Sequence, residues 1–111
     1  MRLYHNPRCS KSRQALSLIK ERGVEFEEYR YLDFGIHVDD LEILSNLENV
    51  IRTADLDGDE TIDFSNPIEV MSLLKINPRV LQRPILIRGE KAVIGRPPEN
   101  IIILLHEARG L

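Results

Sequence analysis

The sequence predicts an α/β fold with a four-stranded mixed sheet, and two segments of the chain carry that prediction. At the start, an apolar run from Met1 to Tyr4 leads into a helical pattern and then into a second strand. Strand–helix–strand order at this length predicts a right-handed unit with two parallel strands. Near the end, two strands separated by a tight turn precede a last helix, which predicts an antiparallel pair. A helical insert separates the second strand from the third.

Local signals delimit the elements of the first segment. The first helix is predicted over Ser10–Arg22, and Gly23 is placed to end it. The second strand is predicted over residues 24–32, where Phe26, Tyr29 and Tyr31 are strand formers.

The insert, about residues 37–82, is predicted to be mainly helical. Apolar residues recur at helical spacing over His37–Ile51, which predicts one helix there. Asn66 precedes Pro67, and a glutamate follows at the third helical position, which is typical of a helix start. This second insert helix is predicted to end near Asn77.

The last segment supplies the other two strands and the closing helix. Strands are predicted over Arg83–Arg88 and Lys91–Ile94, joined by a turn at Gly89-Glu90. A helix over Glu99–Ala108 follows, and its predicted apolar face is formed by Ile102, Ile103 and Leu105. The order βαβ, helical insert, ββα predicts a thioredoxin-like fold in a single domain over residues 1–111.

Composition narrows the class of protein. A chain of 111 residues with 42% hydrophobic and 30% charged residues is typical of one soluble domain. A net charge of −3 gives no reason to expect nucleic acid or an anionic membrane as a partner. The start of the chain shows no signal-peptide pattern, and no apolar run approaches the ~20 residues of a membrane span. We therefore expect a cytoplasmic protein.

The stretch around the only cysteine carries the candidate chemistry. Pro7 places a turn before the first helix, so Cys9 is expected at or just before a helix N-terminus. Unpaired N–H groups, the helix dipole and the cations Arg8, Lys11 and Arg13 all favour a thiolate. The same N–H groups could bind an oxyanion. A lone cysteine can also be a small buried hydrophobe, but the polar neighbours of this one favour a reactive thiol.

One cysteine also limits the redox chemistry. It excludes an internal disulfide framework and a cysteine-cluster metal site. Intermolecular disulfide chemistry stays open, and this suits a reducing compartment.

Three motifs carry a resemblance to a known family. They are the segment Tyr4–Arg13, which reads YHNPRCSKSR, the tripeptide Arg83-Pro84-Ile85, and the segment Ile94–Glu99, which reads IGRPPE. With these motifs the chain resembles the ArsC family of glutaredoxin-coupled arsenate reductases, and it is most similar to the short bacterial ArsC-like branch. The resemblance spans nearly the whole chain. It implies a thioredoxin-like fold with a helical insert, in agreement with the pattern described above.

The resemblance implies roles for residues of the cysteine loop. Cys9 would be the nucleophile that attacks arsenate. His5 would help to set the electrostatics of the cysteine, and Ser12 would place a hydroxyl near the thiolate. Pro84 would be the cis-proline that faces the cysteine loop in thioredoxin-like folds, so a cis Arg83–Pro84 bond is expected.

Three arginines are implied as ligands of the oxyanion. Arg83 and Arg96 match the family motifs, and Arg52 is the candidate for the third by its position after the first insert helix. The planar guanidinium offers paired donors to a tetrahedral oxyanion. Each of the three could instead be a solvated cation at the end of an element.

The resemblance also implies the reaction partners. Glutathione would be the co-substrate and glutaredoxin the protein partner, with no bound cofactor and no metal. We expect the protein to be a monomer.

An acidic stretch, Asp55–Asn66, suggests a different class of function because it resembles a calcium-binding EF-hand loop. Glu60 stands where the sharp turn needs glycine, and Asn66 stands where a bidentate glutamate closes such a site. We therefore expect no calcium binding tighter than millimolar, and interpret the stretch as an acidic surface turn.

A non-catalytic role is the remaining alternative. Spx-type regulators share this fold, bind RNA polymerase and typically carry a Cys-x-x-Cys motif in the first loop. Here Ser12 stands where the second cysteine of that motif would be, so a local disulfide switch is impossible. A regulatory protein without that switch, or a thiol-redox protein acting on another substrate, stays open.

Overall fold

The fold contains a four-stranded mixed sheet. This computed structural model describes residues 1–58 and 61–108, and for residues 107 and 108 it describes the backbone alone. The strands of the sheet are β1 (Arg2–Tyr4), β2 (Glu27–Tyr29), β3 (Ile85–Arg88) and β4 (Lys91–Ile94). The spatial order is β2-β1-β3-β4. β1 runs parallel to β2 and antiparallel to β3, and β3 pairs antiparallel with β4. The sheet is therefore the thioredoxin-like one that the sequence predicts.

The chain divides into two compact units. The first comprises Met1–Arg30 and Arg83–Leu111, and the second comprises Tyr31–Gln82. The sheet, helix α1 (Ser10–Glu21) and helix α5 (Ile102–Ala108) belong to the first unit. The second unit is the insert between β2 and β3. A single domain spanning both units stays a prediction.

The core of the first unit joins α1 and the end of the chain to the sheet. Ala15 and Ile19 of α1 are completely buried together with Leu3 of β1 and Leu86 of β3. The last turns contribute Ile101, Leu104 and Leu105 to the same cluster. This packing fixes α1, and with it the loop before α1, relative to β1.

The predicted apolar face of the last helix is wrong in one residue. Ile103 is 61% exposed, whereas Ile101 and Leu104 are buried. A 3-10 turn over Pro98–Ile101 precedes α5 and changes the rotational phase with which the helix meets the core.

The predicted second strand is too long. Only Glu27–Tyr29 pairs with β1, and Tyr31–Phe34 forms a short helix, α2. Tyr31, which belongs to the second unit, is completely buried and is the first residue of α2 rather than part of a strand. Gly35, at φ +75°, ends α2 by donating its N–H to the carbonyl of Tyr31 at 2.8 Å.

The prediction of one helix over His37–Ile51 is also wrong. A 3-10 turn over Val38–Asp40 leads into helix α3 (Leu41–Ser45), which ends well before Ile51. Ile51 instead forms an isolated antiparallel bridge with Leu81. The apolar residues at the end of the predicted helix are buried by this pairing, which sequence spacing alone does not reveal.

The second insert helix begins where the sequence predicts. Helix α4 spans Pro67–Ile76, and the side-chain oxygen of Asn66 accepts the N–H of Ile68 at 3.0 Å. The amide of Asn66 also donates to the Glu69 carboxylate at 3.2 Å. The first bond satisfies a backbone N–H that a helix start otherwise leaves without a partner, and the second holds the Asn66 side chain in place.

Asn66→Ala should lower the free energy of unfolding by about 1 kcal/mol, because the N-cap acceptor is lost. Urea unfolding followed by circular dichroism measures this difference. Asn46→Ala is the matched control, since it removes an exposed bond from the Asn46 amide to the Glu42 carbonyl at 2.9 Å. Equal losses for the two variants would contradict the capping role.

Candidate active site

Asn6 folds the loop that carries the cysteine. Its backbone carbonyl accepts the N–H of Cys9, and its side-chain oxygen accepts the N–H of Arg8, both at 3.0 Å. On the other side of the loop, Arg13 donates from Nη1 to the carbonyl of Pro7 at 2.9 Å. The sequence pattern around Cys9 predicts no role for Asn6 and indicates Arg13 only as a cation. An asparagine that accepts the N–H two residues ahead is a known turn signal that could have identified it.

Cys9 occupies the N-cap position of α1 in an extended backbone conformation. Burial alone raises the pKa of the thiol, but the backbone N–H groups of Ser12 and Lys11 and the guanidinium of Arg83 outweigh it and lower the pKa. Within the described chain, the sulfur accepts no capping bond of conventional geometry, so these N–H groups act mainly as oriented dipoles. A lowered pKa agrees with the sequence prediction of a reactive thiol.

Ser12 and His5 form a buried polar pair beneath the loop. Ser12 is completely buried and His5 is 3% exposed. The Ser12 hydroxyl oxygen accepts the N–H of Asn6 at 3.0 Å and lies 2.7 Å from Nδ1 of His5. The pair therefore ties the end of β1 to the first turn of α1.

The imidazole of His5 is held in its neutral form. Burial is the largest cause that lowers its pKa, and the cations Arg30, Arg13 and Lys20 act in the same direction against Glu28. A neutral imidazole offers the cysteine no full positive charge. His5 thus orders the Ser12 hydroxyl rather than attracting the thiolate directly.

The two Arg-Pro motifs meet in the first unit. Both the Arg83–Pro84 and the Arg96–Pro97 peptide bonds are cis. The guanidinium of Arg83 acts on Cys9, and Arg96 donates from Nη1 to the Arg83 carbonyl at 2.7 Å. The first unit therefore brings Cys9 and Arg83 together, and places the Arg96 guanidinium on the backbone that carries Arg83.

Arg52 lies in the second unit, just before a 3-10 turn over Thr53–Asp55. Its Nη1 donates to the Asp55 carboxylate at 2.9 Å, and one third of its side chain is exposed. Its role as a third oxyanion ligand stays a prediction.

The acidic stretch satisfies several of its own charges. Asp57 lies 3.7 Å from the Arg79 guanidinium. The Ser65 hydroxyl and backbone N–H donate to Asp63, and the hydroxyl is the larger cause of its lowered pKa. Asp59 and Glu60 lie outside the described residues. The expectation that this stretch binds no calcium more tightly than millimolar stays a prediction.

Over residues 1–58 and 61–108, no group of three His, Cys, Asp or Glu side chains is placed to hold a metal ion. In that same part of the chain, no helix is long and apolar enough to cross a membrane.

Comparisons with known proteins agree with these motifs. The model of the ArsC family matches residues 4–103. An arsenate reductase of Neisseria meningitidis is 37% identical, covering 95% of this chain and 97% of the relative. An uncharacterized protein of Escherichia coli is 40% identical, covering 92% and 93%. A solved structure, a putative arsenate reductase from Yersinia pestis, matches with a TM-score of 0.72 and 33% identity over 91% of this chain and 96% of its own.

A more distant relative is the global transcriptional regulator Spx of Streptococcus mutans, which is 29% identical and covers 89% of this chain and 78% of the relative. The similarity to Spx therefore covers slightly less of this chain than the 95% covered by the Neisseria reductase.

The alkylation rate of Cys9 should rise with pH with a midpoint below about 8.5, the pKa of a free cysteine. The physical reason is that oriented N–H groups and Arg83 stabilise the thiolate. Iodoacetamide labelling across a pH series measures the inflection. A midpoint at or above the free-thiol value would contradict an activated cysteine.

The stability of the protein should fall on mild acidification because His5 is held neutral. Its pKa is lowered from 6.5, so the unfolded chain binds the proton first. This contribution is complete above pH 6.5 and is lost as the pH falls through the lower folded-state pKa. Urea unfolding at pH 7.5 and pH 5 measures the loss.

His5→Asn should reduce that pH dependence, because asparagine keeps a hydrogen-bonding group near the Nδ1 position but does not titrate. His106→Asn is the control, since this histidine is exposed on α5. A pH dependence that His5→Asn leaves unchanged would assign the acid sensitivity to other groups.

Proposed function

Because the chain belongs to the ArsC family, we propose that it is an arsenate reductase with Cys9 as its nucleophile. The observation that carries this proposal is the position of Cys9 at the N-cap of α1, where the N–H groups of Ser12 and Lys11 and the guanidinium of Arg83 lower the pKa of its thiol. A thiolate at neutral pH is the form that attacks an electrophilic centre. The names of the Neisseria and Yersinia relatives support arsenate as that electrophile.

The first step joins sulfur to arsenic. The Cys9 thiolate attacks the arsenic(V) centre, a sulfur–arsenic bond forms, and one arsenic–oxygen bond breaks. The departing oxygen takes up protons and leaves as water. At this stage arsenic is still in its +5 state and the cysteine is esterified to it, so no electrons have yet been transferred.

Reduction oxidises two thiols to a disulfide, and the only cysteine of this chain is already bonded to arsenic at this stage. The glutathione thiol displaces a second arsenic-bound oxygen, which leaves as water, so that arsenic(V) is bonded to both sulfurs. The glutaredoxin thiolate then attacks the glutathione sulfur: the bond between that sulfur and arsenic breaks, its electron pair stays on arsenic, and a glutathione–glutaredoxin disulfide forms. Arsenic(V) thereby becomes arsenic(III), and water cleaves the Cys9–arsenic bond and regenerates the thiol. The external reductant follows from the single cysteine together with the family resemblance.

Arginines neutralise the oxyanion as it binds and reacts. Arg83 lies beside the nucleophile, and Arg96 retains further N–H donors after donating one to the Arg83 carbonyl. Arg52 is the third arginine of the proposal. Preorganised donors of this kind stabilise developing charge because they need no reorientation during the reaction.

A regulatory function is the second candidate, and the similarity to Spx is the observation that favours it. Binding separates the two candidates. An enzyme of this kind binds arsenate and turns it over with glutathione and glutaredoxin, whereas a regulator with the same fold needs neither activity.

Substitutions at the proposed site should affect turnover in different ways. Cys9→Ser should abolish arsenate reduction but leave oxyanion binding largely intact, because only the nucleophile is lost. Arg83→Ala and Arg96→Ala should each cost roughly 2–4 kcal/mol of transition-state stabilisation. Arg83→Lys should recover only part of that loss, because lysine keeps the charge but lacks the planar fork. Steady-state kinetics with excess glutathione and glutaredoxin measures all four.

Arg79→Ala is the control for removal of an arginine, since Arg79 is half exposed and lies near Asp57. It should leave kcat/KM unchanged. Absence of wild-type turnover would show that arsenate is the wrong substrate, and activity of Cys9→Ser would show that the nucleophile is wrong.

A further inference from the structure

The segment after β4 holds the backbone at the start of β3 through two hydrogen bonds. Arg96 donates from Nη1 to the carbonyl of Arg83 at 2.7 Å. Gly95 donates its backbone N–H to the carbonyl of Pro84 at 2.8 Å. Two successive carbonyls are thus fixed by two successive residues. The two bonds fix the position and the direction of the peptide between them.

Gly95 is required here for space. A Cβ atom added at this position would lie 2.8 Å from Cγ of Pro84 and 3.2 Å from Cγ2 of Ile101. The nearest atom belongs to a proline ring, which has no flexible end to swing aside, and Ile101 is completely buried. Any larger residue would push the Pro84 ring, and the backbone joined to it, away from the segment.

The same backbone carries the arginine that acts on the nucleophile. The Arg83 side chain leaves the chain one residue before Pro84, and its guanidinium lowers the pKa of Cys9. Arg83 is partly buried, so a displaced main chain moves the guanidinium as well. The effect of the guanidinium on the thiol weakens as the distance between them grows.

We propose that Gly95 and Arg96 are positioning residues, which hold the Arg83–Pro84 backbone so that the Arg83 guanidinium stays against the Cys9 sulfur. Arg96 then has a role before any substrate binds, in addition to the contact with the oxyanion proposed above. The inference deepens the proposed function, but it concerns the resting thiolate and so can be tested without arsenate.

The decisive variant is Gly95→Ala, because it changes no charge. With iodoacetamide as the probe and no arsenate present, the pH inflection of Cys9 alkylation should move upward, toward the value of Arg83→Ala but not beyond it. Gly89→Ala is the matched control. Gly89 lies in the β3–β4 turn at φ +60° with open space around it, so alanine there strains the turn and lowers Tm but should leave the inflection unchanged.

A double-mutant cycle separates positioning from a general loss of structure. If Gly95 acts through Arg83, Gly95→Ala should shift the inflection in the wild-type background and produce no further shift in an Arg83→Ala background. Arg96→Lys, which keeps the charge and loses the fork, should behave in the same way with a smaller shift. If Gly95→Ala fails to fold, Arg96→Lys in the two backgrounds carries the test.

An inflection that neither variant moves would overturn the inference, and so would shifts that add to that of Arg83→Ala. Neither result bears on arsenate turnover by the wild type. Conversely, a wild type that fails to reduce arsenate would remove the proposed function and leave the positioning of Arg83 intact.

Discussion

The chemistry of this protein depends on one constraint, which is that a sulfur atom must lie where a helix begins. Cys9 ends the loop and starts α1, so the N–H groups of Lys11 and Ser12 face the sulfur. Burial of Ala15 and Ile19 against the sheet fixes the direction of that helix. The N–H groups move with the sulfur because both belong to the start of α1, but the hydrophobic core fixes Cys9 relative to β3, the strand that follows Arg83 and Pro84.

The loop and the buried pair beneath it stabilise the same geometry from two sides. Asn6 uses its carbonyl, its side-chain oxygen and its N–H for three bonds, the last of them to Ser12. Since His5 is neutral, its bond with Ser12 adds order without adding a competing charge. The positive charge that acts on the thiolate comes instead from Arg83, whose partly buried guanidinium is less screened than a surface cation.

Sequence reasoning succeeded where the signal is local and failed where tertiary contacts decide. The start of α1 and the Asn66 cap depend on a few neighbouring residues, and both were predicted correctly. The helix predicted over His37–Ile51 fails because Ile51 pairs with Leu81, thirty positions along the chain. Apolar spacing records that residues are buried, but it does not record which partner buries them.

The candidate site shows the same contrast between features set by neighbouring residues and features set by tertiary contacts. The lowered pKa of Cys9 could be predicted from the sequence, since the turn, the helix and the cations are all adjacent to it. The contribution of Gly95 is not visible, because a glycine chosen for a close approach looks in sequence like any glycine in a turn. Only the 2.8 Å distance from a hypothetical Cβ to the Pro84 ring reveals it. In the arrangement that we propose, the arginine beside the thiol is supported by a residue with no side chain, and the segment IGRPPE combines a packing constraint with a proposed oxyanion ligand.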